Sequence, residues 1–219
     1  MKLRRNTGSA LFLAVLAITA PACESSEPAG PIIATVDGRP VYESVADSRI
    51  AGIAQLHGGD IEVALGEDWR VVVLRTLTDD IIVEIEAEER GVAVSDGDVD
   101  QALDDLRAAI GGGDEWEAWL AQNGIDEQEA RRRLYLQESS SRVYRAITEG
   151  IEATEENAEA YYNANPDQFK DSGGTLPFIE VRNSLMDELT GDMQEAAFVD
   201  WLETRRDEVE VEVLADDWK

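Results

Sequence analysis

The residue types that carry most enzyme chemistry are scarce in this chain, and their spacing is poor for catalysis. His57 is the sole histidine and stands just before Gly58 and Gly59. A general base needs an orienting partner and a group to activate, and no spacing here supplies either. Next to two glycines, His57 is better explained as a helix end, where a protonated imidazole meets the helix dipole favourably. Cys23 is the sole cysteine, and one histidine with one cysteine cannot build a closed zinc site. Acid pairs such as Asp79-Asp80 and Asp104-Asp105 could serve calcium binding or sugar hydrolysis. Among 47 acidic residues such pairs arise by chance, and no calcium-loop spacing accompanies them. The run Gly111-Gly112-Gly113 lacks the preceding strand and the lysine of a phosphate loop. Neither metal nor cofactor is expected. Trp116 and Trp119, three residues apart, fall on one side of a short helix. They either pack that helix onto longer neighbours or form an aromatic contact surface for a peptide.

Composition narrows the partners. The chain has 219 residues, 43% hydrophobic and 30% charged, enough for one good-sized core or one domain plus an extension. Its net charge is −28, and more negative still without Lys2, Arg4 and Arg5. Such a chain repels phosphate backbones, which argues against nucleic acid. Anionic lipid head groups repel it too, unless a covalent anchor holds it there. The acidity serves solubility, or draws basic and unfolded cationic partners.

The start of the chain has an export pattern. Lys2, Arg4 and Arg5 precede the uncharged run ALFLAVLAITA (residues 10–20), which is too short to span a bilayer. Small residues then lead to Cys23 in APAC (residues 20–23). This resembles the lipobox of bacterial lipoproteins, with cleavage before Cys23 and lipid on its thiol. Ala20 stands where that pattern usually has leucine. Several acyl chains on one cysteine would anchor stably, since each buried CH₂ contributes about 0.8 kcal/mol. The alternative is an ordinary signal cut after APA, leaving a free thiol.

The elements that must position any site follow in order. Residues 1–22 are expected as signal peptide and 23–31, with the polar ESSEPAGP stretch, as a tether. IIATVDGRPV places two β-favouring runs around Asp37-Gly38, a hairpin signal. Val45, Ile50, Ile53 and Leu56 form a helical stripe. Trp69, Val73, Leu77, Ile81 and Ile85 predict a long helix ending near Gly91. Ser95 and Asp98 make a capping box for the next helix, with Val99, Leu103, Leu106 and Ile110 on its apolar face. DEWE suggests a cap at Asp114 for the tryptophan helix, and DEQE a cap at Asp126 for another long one. Thr154 caps a helix carrying Tyr161 and Tyr162 that Asn165-Pro166 ends. Pro177 opens a last helix reaching about Arg206. EVEVEVL (residues 208–214) alternates strictly and predicts a half-buried strand, whose natural partners are the strands of residues 33–41.

This order of elements resembles a known family. ATVDGRPVYESVADSRI, IEAEERGVAVSDGDVDQALDDLR, WEAWLAQNGIDEQEARRRLYLQ and ATEENAEAYYNANPDQF look like the N-terminal domain of SurA and PrsA, extracytoplasmic chaperones and prolyl isomerases. The stretch from LPFIEV to VEVEVL is similar to the helix and strand that complete that domain. The resemblance implies a mainly α fold, with residues 32–169 and 177–219 forming one helical domain and the terminal strands a small sheet. In the family a parvulin isomerase domain is inserted after the segment like YYNANPDQF, whereas here a short loop, residues 170–176, stands in that place. The implied role is a lipid-anchored extracytoplasmic holdase or foldase for unfolded secreted or outer-membrane proteins, binding through an apolar groove without isomerase activity. A lipoprotein docking one folded partner, or a protein with residual isomerase activity, are the rivals.

Overall fold

The structure is a computed structural model, which describes residues 30–171 and 174–219. β1 (Ile32–Val36) and β2 (Arg39–Tyr42) form the expected antiparallel hairpin. Asp37 and Gly38 at its turn both take positive φ, 47° and 76°, which is why an Asp-Gly pair serves there. The Asp37 backbone N–H donates to the Glu210 carbonyl at 2.9 Å, and its side chain accepts from the Glu210 N–H at 2.8 Å. That clasp brings β5 (Val211–Val213) alongside β1, pairing Ala34 with Val213, so both ends of the described chain share one sheet of order β2-β1-β5. β5 is shorter than the alternation suggests. Val209 caps the preceding helix instead of pairing, and Val211 lies 41% exposed at the edge.

Among the described residues there are eight α-helices: α1 (Glu43–Leu56), α2 (Ile61–Leu65), α3 (Trp69–Glu89), α4 (Asp96–Ile110), α5 (Gly113–Gln122), α6 (Glu127–Thr148), α7 (Glu155–Ala164) and α8 (Phe178–Glu208). Their starts follow local chemistry. Ser95 and Asp98 form the expected reciprocal box, and Thr154 with Asn157 forms another. Asp126 accepts from the Glu129 N–H at 2.7 Å. Asp114 does not cap α5: Gly112 holds the N-cap position, with φ 71°, and Asp114 sits in the first turn. The turn Gly111-Gly112 reverses the chain so tightly that the helix starts before the side chain able to cap it.

Three apolar clusters lie along the molecule. The first joins the sheet to α1 and the start of α3, through Ile33, Val36, Val41, Val73, Leu77 and Trp218. The second, around Val83, Ala87 and Val143, joins α3 to α6, with Phe198 and Trp201 of α8 against it. The third, around Leu103, Trp116 and Ala130, joins α4, α5 and α6. α3 therefore serves two cores with different faces, and both Ile82 and Val83 are buried beyond the single stripe its sequence suggests. Between α7 and α8 the loop is a small hairpin, β3 (Lys170–Asp171) with β4 (Gly174–Thr175). Its base is held by the Tyr162 hydroxyl, which donates to the Leu176 carbonyl at 2.8 Å, and by the rings of Tyr162, Phe169 and Phe178.

Candidate functional site

α1 and α6 both pack on α3, and a cleft of about 380 Å³ opens between them. Ser48, Arg49, Gly52 and Ile53 form the α1 wall, and Asp80 of α3 lies in the floor. The α6 wall is built from Glu129, Arg132, Arg133 and Leu136. Helical spacing puts residues 129, 132, 133 and 136 on one side of α6, so the sequence of this helix by itself faces them together. A second cavity of about 180 Å³ continues the cleft toward the α5–α6 turn, where Gly124 and Ile125 close it. Gln55 fixes that end by donating to the Gln122 carbonyl at 3.1 Å.

The cleft is amphipathic, where the sequence resemblance implied an apolar groove. Its aliphatic surface comes from Ile53, Leu136 and the methylene stems of its arginines, whose heads are polar. Large exposed apolar side chains are dispersed elsewhere: Val63 on α2, Val71 near the start of α3, Ile179, Met193 and Val199 along α8, and Leu214 after β5.

Electrostatics in and beside the cleft are tightly paired. Arg49 donates to Asp80 at 2.5 Å, while Arg132 and Arg133 donate to Glu129 at 2.9 and 2.8 Å. Burial pushes the Glu129 carboxyl up, but these two guanidiniums together bring it below its usual range. Asp80 is raised by burial despite Arg49. Glu84, one turn further along α3, is pushed up to about 7, chiefly by burial and then by the Asp80 charge, against Arg39 and Arg132.

The consequence is a stability that depends on pH. A carboxyl titrating near 4.5 unfolded and near 7 folded binds its proton more tightly in the folded state. Stability therefore falls as pH rises across that interval, and the full penalty stands above it. Glu84→Gln is expected to raise stability by about 2 kcal/mol at pH 8 and to change it little at pH 4.5. Urea midpoints at the two pH values check this, and a gain that is equal at both would remove the carboxyl as its source.

The residues singled out in the sequence scatter. His57 caps α1 through its backbone N–H, which donates to the Ala54 carbonyl at 3.0 Å, and it is exposed. Asp79 takes a two-pronged contact from Arg206 of α8, at 2.6 and 2.7 Å, so the Asp79-Asp80 pair is divided between two ion pairs. Asp104 meets Arg107, and Asp105 accepts from Gln101. Trp116 is 5% exposed inside the third cluster, stacked on Trp119 with centroids 5.3 Å apart and planes 11° apart. Its indole N–H donates to Glu127 at 3.3 Å, and the Trp119 ring is half-buried. Cys23, with the signal-like segment, lies outside the described residues. Among the described residues, no group of three or more His, Cys, Asp or Glu side chains is arranged to hold a metal, and no helix is long and apolar enough to cross a membrane. The cleft escaped sequence reading because its walls belong to helices about 80 residues apart; the one local signal was the Arg131-Arg132-Arg133 run in an acidic chain.

No protein-family model matches the chain. Foldase protein PrsA from two strains of Clostridium perfringens is 29% identical over 154 residues, covering 64% of this chain and 45% of that protein. The chain thus spans less than half the length of the curated relatives it matches. Among solved structures, one from Campylobacter jejuni, in work on PEB4 and Cj1289 as structurally related SurA-like chaperones, matches with a TM-score of 0.58 at 12% identity. The match covers 84% of this chain and 98% of that one. At that identity the likeness is one of fold. The resemblance to SurA/PrsA-type extracytoplasmic chaperones is therefore borne out, by sequence similarity to a PrsA foldase and by a mainly α, SurA-like fold with its small terminal sheet.

Proposed function

We propose that this protein is an extracytoplasmic chaperone that binds unfolded exported polypeptides, held at a membrane through lipid on Cys23, and that it binds without prolyl isomerase activity. The observation that carries the reading is the open cleft between α1 and α6, about 380 Å³ and continued by a cavity of about 180 Å³, set in a SurA-like frame. Similarity to a PrsA foldase supports the chaperone role and the exported location. The shortness of residues 170–176 supports binding without catalysis, because paired β3 and β4 and the Leu176 N–H donating to the Phe169 carbonyl at 2.7 Å close the chain where the resemblance places an isomerase domain. Of the tryptophan pair, Trp119 is the ring available to a client, with Trp116 packed behind it.

Several unrelated unfolded proteins, diluted from denaturant with and without the soluble domain, test this by light scattering. The expected outcome is suppressed scattering at near-stoichiometric ratios with no nucleotide present. Protection of none of them, together with capture of a single partner at fixed stoichiometry, would favour a docking lipoprotein. In the same series, Cys23→Ala is expected to move the protein from the membrane fraction to the soluble one.

A further inference from the structure

The cleft is rich in hydrogen-bond donors within a strongly acidic protein. Three guanidiniums, those of Arg49, Arg132 and Arg133, face two carboxylates in the larger cavity, Asp80 and Glu129, and Asp126 lines the smaller one, whereas the chain as a whole carries −28. All three carboxylates are already engaged, Asp80 by Arg49, Glu129 by Arg132 and Arg133 together, and Asp126 by the Glu129 N–H that it caps. A guanidinium offers five N–H donors in a planar fork. Arg133 places its Nε–H on Glu129 and is the most exposed of the three side chains, at 45%.

Gly52 gives that fork its room. A Cβ at Gly52 would stand 3.2 Å from Arg133 Nη2, so a larger side chain on this turn of α1 would displace the guanidinium. Arg133, Gly52, Ser48 and Glu129 line both cavities, making them two lengths of one trough with Arg133 at the junction. Ile53 and Leu136 supply aliphatic surface on opposite walls beside it.

We propose that this trough is a subsite for an extended peptide segment that presents a carboxylate beside an aliphatic side chain. The carboxylate meets the free donors of Arg133 and Arg132, and the aliphatic group lies between Ile53 and Leu136. This rests on the chaperone reading and names the segment it would hold. Charge-assisted contacts from a guanidinium fork to a carboxylate are short and directional. A lysine side chain in the same place would meet three cations whose counter-carboxylates are already occupied. At about 0.15 M salt the screening length is roughly 8 Å, so the acidic remainder of the surface does not override contacts made inside the trough.

Fluorescence polarisation with short labelled Leu-Glu, Leu-Gln and Leu-Lys repeat peptides, at physiological salt, provides the test. Each peptide is made with a free and with an amidated C-terminus. Leu-Glu is expected to bind at least about tenfold more tightly than Leu-Gln, the scale of a charged hydrogen bond. Arg133→Gln is expected to abolish that preference. Gly52→Leu, which keeps every charge and fills the trough, is expected to weaken Leu-Glu binding by a similar factor. Melting curves of both variants show whether the fold is kept. Loss of binding on amidation alone would assign the site to chain ends, and no effect of amidation would assign it to acidic side chains; both support the carboxylate subsite. Equal affinity for the three peptides that amidation leaves unchanged, tightest binding of Leu-Lys, or indifference to both substitutions would overturn it. Aggregation assays keep the two ideas apart. Protection that persists in both variants, with peptide binding unchanged in them, removes the subsite and leaves the chaperone reading standing. Peptide binding without protection removes the chaperone reading alone.

Discussion

Trp218→Ala is expected to destabilise the protein by about 3 kcal/mol, seen as a lower urea midpoint. Trp218 lies one residue from the C-terminus in a single 3-10 turn, Asp216–Trp218, yet only 7% of its surface is exposed. It packs edge-on against Trp69 at the start of α3, with centroids 6.1 Å apart and planes at 80°. That geometry suits the ring quadrupoles and closes the cluster under the sheet. Removing a buried tryptophan typically costs about 3–5 kcal/mol, and the lower end applies because a terminal turn can settle inward. A domain of this kind is stable by only about 5–15 kcal/mol, so the shift is large. An unchanged midpoint would mean that the last turn is dispensable and that β5 alone ties the C-terminus to the hairpin. Trp218→Phe, which keeps an aromatic edge, is expected to recover more than half of the loss.

Glu86→Ala is expected to cost about as much, for an electrostatic reason. Glu86 is 6% exposed in the C-terminal half of α3. One oxygen accepts from Arg90 at 2.5 Å, and the other faces Arg205 of α8 at 3.5 Å. Arg205 also reaches Glu89 of α3 and, within its own helix, Glu208, so it draws α8 onto α3 through two carboxylates, of which only Glu86 is buried. Breaking a buried ion pair by removing one partner costs about 3–5 kcal/mol, because the other charge is left without compensation. Both arginines retain some access to water, so about 3 kcal/mol is expected here. Glu86→Gln keeps the shape and one acceptor and should fall between wild type and Glu86→Ala. If the glutamine variant equals wild type, the charge contributes nothing and packing accounts for the site.

Much of the local structure was legible because it depends on neighbours in sequence. Asp37-Gly38 sets its turn by tolerating positive φ, and Ser95 with Asp98 closes a capping box across three residues. The alternating valines near the C-terminus announced a strand, and partner choice followed from a shortage of other strands. The N-cap of α5 was missed because a glycine turn starts that helix ahead of Asp114. Trp218 gave no local signal: one aromatic near a chain end is a core residue only if the chain returns to cover it.

The amino-acid sequence by itself determined the order of the helices except the short α2, most of their caps, the hairpin and the union of the two chain ends, since all of these follow from short-range periodicity and turn chemistry. It also carried the SurA/PrsA-like ordering of segments. Only the tertiary structure decided what the cleft is made of. Arg49 and Gly52 on α1, Asp80 on α3 and the Glu129–Leu136 face of α6 meet because two helices flank a third, and no spacing along the chain records which faces that packing leaves open. The same packing buried Trp116 and paired both members of the Asp79-Asp80 couple with different arginines. Burial and long-range pairing are properties of the assembled core, and they set both the charge and the shape of the site.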